Sequence, residues 1–380
     1  MFASLTLAAT LALAPASPAS PLPDITDIPS VPVTPIAPLT MEQVMTVPEE
    51  LRAEVHKRVV EPGGGSRSRK LDLLAAYVFG DDGLALDYDN DYTRTVSEVY
   101  RDRKANCLSF TLLFVALARE AGLDAQVQEV GEVLAWYQDE GVIYNANHVN
   151  VGVRTGAQWQ VVDVDTNILA ARNRPFGVDD RRAMAHFHNN RGAELMADGD
   201  LASAHLALRA ALQDDPEFVP AWNNYGVLLL RMGDPRGAEH AYLTGLRHKR
   251  EHAATLSNLV SLYRRTGDER QQRRYEWRLD RVQRTDPFHQ FMLALECEHN
   301  ANYECAITRY RRAIALQGEE HQFHFGLARV YFLSGDLGAA QRELGRALNL
   351  GDNDKVRSVY KQKLESLRRW REQASTRLQH

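Results

Sequence analysis

An α+β domain followed by an all-α repeat solenoid is the fold class this sequence predicts. Three observations predict it. Apolar residues recur at helical spacing through residues 71–121. From Ala125 the pattern changes to alternation, the period of a half-buried strand. From Gly199 to Asp336 a Gly-Asp or similar dipeptide returns every 34 residues.

A chain of 380 residues calls for two or three domains. A hydrophobic fraction of 44% and a charged fraction of 25% are those of a globular protein. The net charge of -5 is small for this length and gives no support to a nucleic-acid partner. The three cysteines, Cys107, Cys297 and Cys305, do not make a disulfide-built scaffold, and none pairs with another at metal-ligand spacing. No metal and no other cofactor is expected.

Met1 to Ala14 is an unbroken apolar or small run, long enough for a signal-peptide core and too short to span a bilayer. Residues 1–20 are read as a signal peptide, which places the protein in the periplasm or outside the cell. The alternative is a cytoplasmic protein with an apolar N-terminus. No other stretch reaches 18 consecutive apolar residues, so no membrane-spanning helix is expected. Residues 21–40 continue a segment that carries eight prolines between Pro15 and Pro38 and is read as an extended linker.

The first domain is assigned to residues 41–184. Residues 61–69, Glu-Pro-Gly-Gly-Gly-Ser-Arg-Ser-Arg, read as a loop, since they lack the Gly-Lys-Ser/Thr ending of a phosphate-binding loop. Short helices are predicted over Leu71–Phe79 and Thr95–Arg103. A longer one opens at Cys107 and runs to about Ala121, with Asn106 as its N-cap and Gly122 at its C-cap. Strands follow near Ala125–Val130, over Gly141–Val153 and over Gln158–Val164, giving an antiparallel meander behind a helix.

Cys107 is the residue with the most chemistry in it. In the first turn of a helix, unpaired backbone N–H groups and the positive end of the helix dipole favour a thiolate. His148 lies on the second strand and an aspartate on the third, so nucleophile, base and orienting carboxylate follow in chain order. Asp163 and Asp165 are two apart and point the same way, so alternation leaves both open as the carboxylate.

Three pieces now line up: Asn106-Cys107 opening a helix that ends Ala118-Arg119-Glu120-Ala121-Gly122-Leu123, then His148-Val149-Asn150-Val151, then Trp159-Gln160-Val161-Val162-Asp163. In this order they resemble the transglutaminase-like superfamily of papain-type cysteine enzymes, over roughly Leu71 to Asp165. The resemblance implies Cys107 as nucleophile, His148 as base and Asp163, four residues after Trp159, as the orienting carboxylate. It implies attack on an amide carbonyl to give a thioester, released either to water or to an amine. The family usually has an aromatic residue close after the histidine and Pro-Thr after the aspartate. This chain has Asn150 and Val164-Asp165-Thr166, which leaves the substrate open.

In the second half, Gly199-Asp200, Gly233-Asp234, Gly267-Asp268, Ala301-Asn302 and Gly335-Asp336 share one register, as do Ala204, Ala238, Gln272, Ala306 and Ala340. The pattern resembles the tetratricopeptide repeat. Five units are assigned, 185–218, 219–252, 253–286, 287–320 and 321–354, with a capping helix and tail over 355–380 that presents Val356, Val359, Tyr360, Leu364, Leu367 and Trp370. The resemblance implies a protein or peptide partner in the repeat groove, for which Asn189, Asn223, Arg264, Phe291, Phe325 and Arg329 are the candidate lining. His186 and His188 do not share a helix face and are read as packing residues rather than metal ligands. Cys297 and Cys305 stand across one helical hairpin, either as a disulfide or as two thiols. Two functions are therefore carried forward. One is a cysteine hydrolase or acyltransferase with a recruiting platform. The other is a non-catalytic interaction protein that retains an inactive enzyme-like domain.

Overall fold

The computed structural model describes residues 35–89, 91–137, 142–163, 168–171, 175–351 and 354–377. The expected signal peptide, most of the Pro-rich linker and Asp165 lie outside them. The chain folds as an α+β domain followed by a helical solenoid.

Short-range capping chemistry starts each early helix. Thr40 and Gln43 form a capping box at α1 (Met41–Met45). α2 (Glu49–Val55) continues through a wider π turn at His56–Val60 into α3 (Glu61–Gly63). Gly64, at φ +54°, breaks the run, and Ser66 then accepts the Arg69 N–H to start α4 (Arg67–Phe79). The loop expected over 61–69 is thus only a tight turn, because Ser66 caps a helix one turn earlier than the apolar pattern shows. β1 (Asp87–Tyr88) pairs in parallel with β2 (Lys104–Ala105) on either side of α5 (Val96–Asp102), which has its own capping box from Thr95 and Glu98.

α6 (Cys107–Glu120) is the axis of this domain. Every residue from Leu108 to Ala118 is buried, so the helix is surrounded by protein on all sides. Leu113 and Leu117 are fully buried, each contributing about 1.5–3 kcal/mol of transfer free energy. The helix stops where Gly122 takes φ +73° and the Leu123 N–H returns to the Ala118 carbonyl.

The sheet is antiparallel, in the order β5-β4-β3-β6 with β7 also on β3: β3 (Asp124–Tyr137), β4 (Val142–Thr155), β5 (Gln158–Val162), β6 (Ile168–Ala171) and β7 (Phe176–Val178). β6 and β7 were not expected, being too short to set an alternating pattern. Val149, Val151 and Val153 join the core with residues of α2, α4 and α6. Glu129 pairs with Val149 but Gly131 with His148, so Val130 is a bulge beside His148.

Five helix pairs follow. They are α7 (Asp180–Ala197) with α8 (Leu201–Asp214), α9 (Val219–Arg231) with α10 (Pro235–His248), and α11 (Ala253–Thr266) with α12 (Glu269–Thr285). α13 (Pro287–His299) with α14 (Tyr303–Leu316) and α15 (His321–Leu333) with α16 (Leu337–Leu350) complete the array, and α17 (Asp354–Arg377) closes it. The recurring dipeptide is now explained. Its first residue takes a positive φ, from 54° at Ala301 to 87° at Gly335. Its second residue caps the next helix, as when Asp234 accepts the Gly237 N–H at 2.8 Å. Ala204, Ala238, Ala306 and Ala340 are buried where the two helices of a pair approach.

The expected boundary between residues 184 and 185 falls inside α7, which begins at Asp180. Ala183, Met184 and Phe187 belong to the core of the α+β domain, so α7 is at once the last helix of that domain and the first helix of the array.

Candidate active site

The site forms where α6, β4 and the end of β5 meet. Asn106 is 7% exposed and its Oδ1 accepts the Ser109 N–H at 2.8 Å, which fixes the first turn of α6 and sets Cys107 at its start. Thr111 Oγ1 donates to the Cys107 carbonyl at 2.7 Å. Cys107 is a free thiol, partly exposed.

His148 is 4% exposed. Its Nε2 lies 2.8 Å from Asp163 Oδ2, and Cys107 is near enough to act electrostatically on the ring. Burial opposes a charge on the ring. The Asp163 hydrogen bond and the negative charge offered by Asp163 and Cys107 outweigh it and raise the His148 pKa to about 10. His148 and Asp163 are therefore in contact, with Cys107 at the start of α6 acting on the same ring, while Asp165 is outside the described residues.

Asn150 is the residue sequence reasoning did not use. It stands where the family usually carries an aromatic, and its Nδ2 donates to Asp163 Oδ2 at 3.2 Å. Asp163 is thus held between His148 and Asn150. The signal was present: residues two apart on a strand share a face, and Asn150 is two beyond His148.

The other expected residues separate into two groups. His186 Nε2 meets Glu129 at 2.7 Å, and His188 bridges Asp214 and the Leu39 carbonyl, so both are tied into the junction between the two parts of the chain. Among the described residues no group of three or more His, Cys, Asp or Glu is placed to hold a metal. Cys297 and Cys305 are joined as a disulfide with Cα atoms 5.8 Å apart.

Of the groove candidates, Asn189 accepts from Asn224 at 2.9 Å and Asn223 accepts from Asn258 at 2.9 Å, a ladder that ties successive units together. Phe291 is a correction. It is 4% exposed and packs against Tyr310 and Phe323, so it fills the core instead of lining the groove. Arg264 is exposed beside Glu276. Phe325 and Arg329 do line a cavity of about 570 Å³ at the end of the array, closed by Phe332, Leu344, Lys363 and Leu367. No helix among the described residues is long and apolar enough to cross a membrane.

Comparison with known proteins agrees with this geometry at the level of domains. Residues 57–164 match the model of the transglutaminase-like superfamily, and residues 195–263 and 291–354 match tetratricopeptide-repeat models. The chain therefore joins a transglutaminase-like domain to tetratricopeptide repeats, a module of protein–protein interaction. No curated protein matches the chain.

Solved structures similar to it include a MamA protein at 17% identity, covering 44% of this chain and 91% of that one with a TM-score of 0.25. PilF of Pseudomonas aeruginosa is 16% identical, covering 50% and 94% with a TM-score of 0.27. YrrB, described as a tetratricopeptide-repeat protein with an unusual peptide-binding site, is 14% identical, covering 48% and 92% with a TM-score of 0.25. Likeness this low says nothing of what the present chain binds.

Proposed function

We propose that this protein is a cysteine hydrolase or acyltransferase acting on a protein or peptide amide, with Cys107 as nucleophile, His148 as base and Asp163 as the carboxylate that orients the ring. One observation carries the proposal: buried His148 meets a carboxylate at 2.8 Å, and a free cysteine at a helix N-terminus lies near enough to act on the same ring. A positively charged ring beside sulfur supports a thiolate–imidazolium pair.

Attack of the Cys107 sulfur on the carbonyl carbon gives a tetrahedral oxyanion. The Cys107 backbone N–H, one of the donors left without an intrahelical partner at the start of α6, is the group this reading assigns to stabilise it. His148 passes its proton to the departing amine, and the C–N bond breaks to leave a thioester. His148 then takes a proton from water or a second amine as that molecule attacks the thioester carbon; the C–S bond breaks and the proton passes to sulfur, giving a carboxylic acid or a new amide and the free thiol. Asp163 keeps the ring turned toward sulfur throughout.

The repeats are the recruiting surface. The cavity between α15 and α17 has an apolar floor with Lys363 set close to the Phe325 ring, Arg329 being paired with Glu298, which suits a peptide segment with a large apolar side chain and a carboxylate near it. Export from the cytoplasm fits the Met1–Ala14 run and the Cys297–Cys305 bond.

The reading is tested by mapping iodoacetamide modification of Cys107 against pH in the native protein and in His148→Ala. The native thiol should already react at nearly its full rate at neutral pH, whereas in the variant the rate should climb as pH rises through the ordinary thiol range. Identical profiles would leave only an interaction protein with an inactive domain.

A further inference from the structure

The repeat array reaches the nucleophile helix through a short chain of buried hydrogen bonds. Thr93, 1% exposed, lies on the segment ahead of α5. Its Oγ1 accepts from Asn106 Nδ2 at 2.8 Å, and Asn106 is the residue that caps α6 directly before Cys107. The Thr93 N–H donates to Glu194 Oε1 at 2.8 Å, and Asn190 Nδ2 lies 3.4 Å from Thr93 Oγ1. Glu194 and Asn190 both belong to α7, the first helix of the repeats.

The neighbouring residues repeat the arrangement. The Arg94 N–H donates to Ser109 Oγ in the first turn of α6 at 2.7 Å. Arg191 of α7 stacks on the Tyr92 ring, 3.8 Å from its centroid, and also pairs with Glu194 at 2.9 Å. Residues 92–94 are therefore clamped between the start of the nucleophile helix and the first repeat helix.

We infer that Thr93 is a positioning residue for Cys107, and that Glu194 of the first repeat, by holding Thr93, makes the repeat array part of the support of the active site. The inference rests on the proposed role of Cys107 and adds to it a role for the repeats beyond recruitment. The physical reason is the geometry of the cap. Asn106 has one amide to orient. Its Oδ1 faces the Ser109 N–H only while its Nδ2 has an acceptor on the opposite side, and Thr93 supplies that acceptor. When the acceptor goes, the amide can turn, the first turn of α6 frays, and the sulfur moves relative to His148. A displacement of about 1 Å in such a site costs on the order of a hundredfold in rate.

The test uses the full chain and two readouts: the pH profile of Cys107 alkylation, and hydrogen exchange of the Ser109 amide. Thr93→Val keeps the shape and removes the acceptor, and Thr93→Ser restores it. Glu194→Met keeps the reach and removes the acceptor for the Thr93 N–H, and Glu194→Gln restores it.

The expected result is a loss of about tenfold in alkylation rate at neutral pH and faster Ser109 exchange in Thr93→Val and Glu194→Met. Thr93→Ser and Glu194→Gln should return both toward native values. If Thr93→Val does not fold, the Glu194 pair reads the same link from the α7 side. Native profiles and native Ser109 protection in Thr93→Val or Glu194→Met, with His148→Ala still slow, would overturn the inference and leave the proposed function standing. A native profile indifferent to His148→Ala would instead remove the proposed function. In that case the link is judged by Ser109 exchange alone, and unchanged protection would overturn it too.

Discussion

In the proposed mechanism His148 is the side chain that moves the proton, and its environment has two measurable consequences. The first is a pH dependence with a definite sign. Its pKa in the folded protein is raised to about 10 from an ordinary value of 6.5. The stability contributed by the charged ring is then fully present below the ordinary value and lost as pH rises through about 10. Chemical denaturation at about pH 7 and about pH 10 should show the native protein losing more stability across this window than His148→Ala loses. Equal losses would mean that the ring is not charged in the folded state.

The second consequence concerns the carboxylate. Asp163→Asn keeps the shape and removes the charge that fixes the ring, and should lower kcat/KM by roughly 10²–10⁴ with the fold intact. Asp165→Asn should retain most of the activity, and the reverse pattern would move the orienting role to Asp165. Cys107, His148 and Asp163 were each visible in the sequence as residue types in order. Asn150 was legible as a departure from a family pattern and as a residue on the His148 face of β4, but not as a partner of Asp163, because a hydrogen bond from strand to strand end has no spacing of its own in the chain.

At the scale of elements, the turns of the repeat array were legible and their one irregularity now has an energetic meaning. Gly-Asp was recognisable because each half does a separate job, left-handed backbone first and a side-chain cap second. Ala301 does the first job with a Cβ, at φ +54°. Ala301→Gly should therefore stabilise the protein by about 0.5–1 kcal/mol, the left-handed penalty relieved less the extra freedom of glycine in the unfolded chain. A lowered melting temperature would contradict this.

The disulfide in the same hairpin closes a short loop, and Cys305→Ser should cost about 2 kcal/mol in the oxidised protein and nothing in the reduced one. Equal stability of the two oxidised proteins would show that the bond does not form. Other elements were not legible for physical reasons. β6 and β7 span four and three residues, too few for a period to show. Phe291 looked like a groove residue because its register position faces the groove side in an ideal repeat, whereas here aromatic neighbours enclose it.

For the whole molecule, the boundary between the two parts is a shared helix rather than a linker, and sequence periodicity cannot reveal that one helix serves two cores. The junction is also charged. Glu129 of β3 meets His186 Nε2 at 2.7 Å and Arg182 Nε at 2.6 Å, and Arg182 reaches Asp215 at 2.6 Å. Burial alone would raise the Glu129 pKa, but its bonds to His186 and Arg182 prevail and lower it to about 2. A lowered pKa contributes stability above the ordinary value of 4.5 that is lost as pH falls toward 2. The native protein should lose roughly 2 kcal/mol more than Glu129→Gln between about pH 5 and pH 2, read by denaturant midpoint. Parallel acid transitions would contradict it. A chain cut after Arg182 would lose Ala183, Met184 and Phe187 from the first core and should not fold independently.

The central claim is that Cys107, His148 and Asp163 transfer acyl groups, and it can be measured without knowing the substrate. The native protein, His148→Ala and Asp163→Asn are mixed with p-nitrophenyl acetate, quenched at short times and mapped by peptide mass spectrometry. The account predicts an acetyl group on Cys107 of the native protein that forms in a burst and turns over, and that forms far more slowly in both variants. Acetylation of Cys107 at the same rate in all three proteins, or none on Cys107 in the native one, would contradict it.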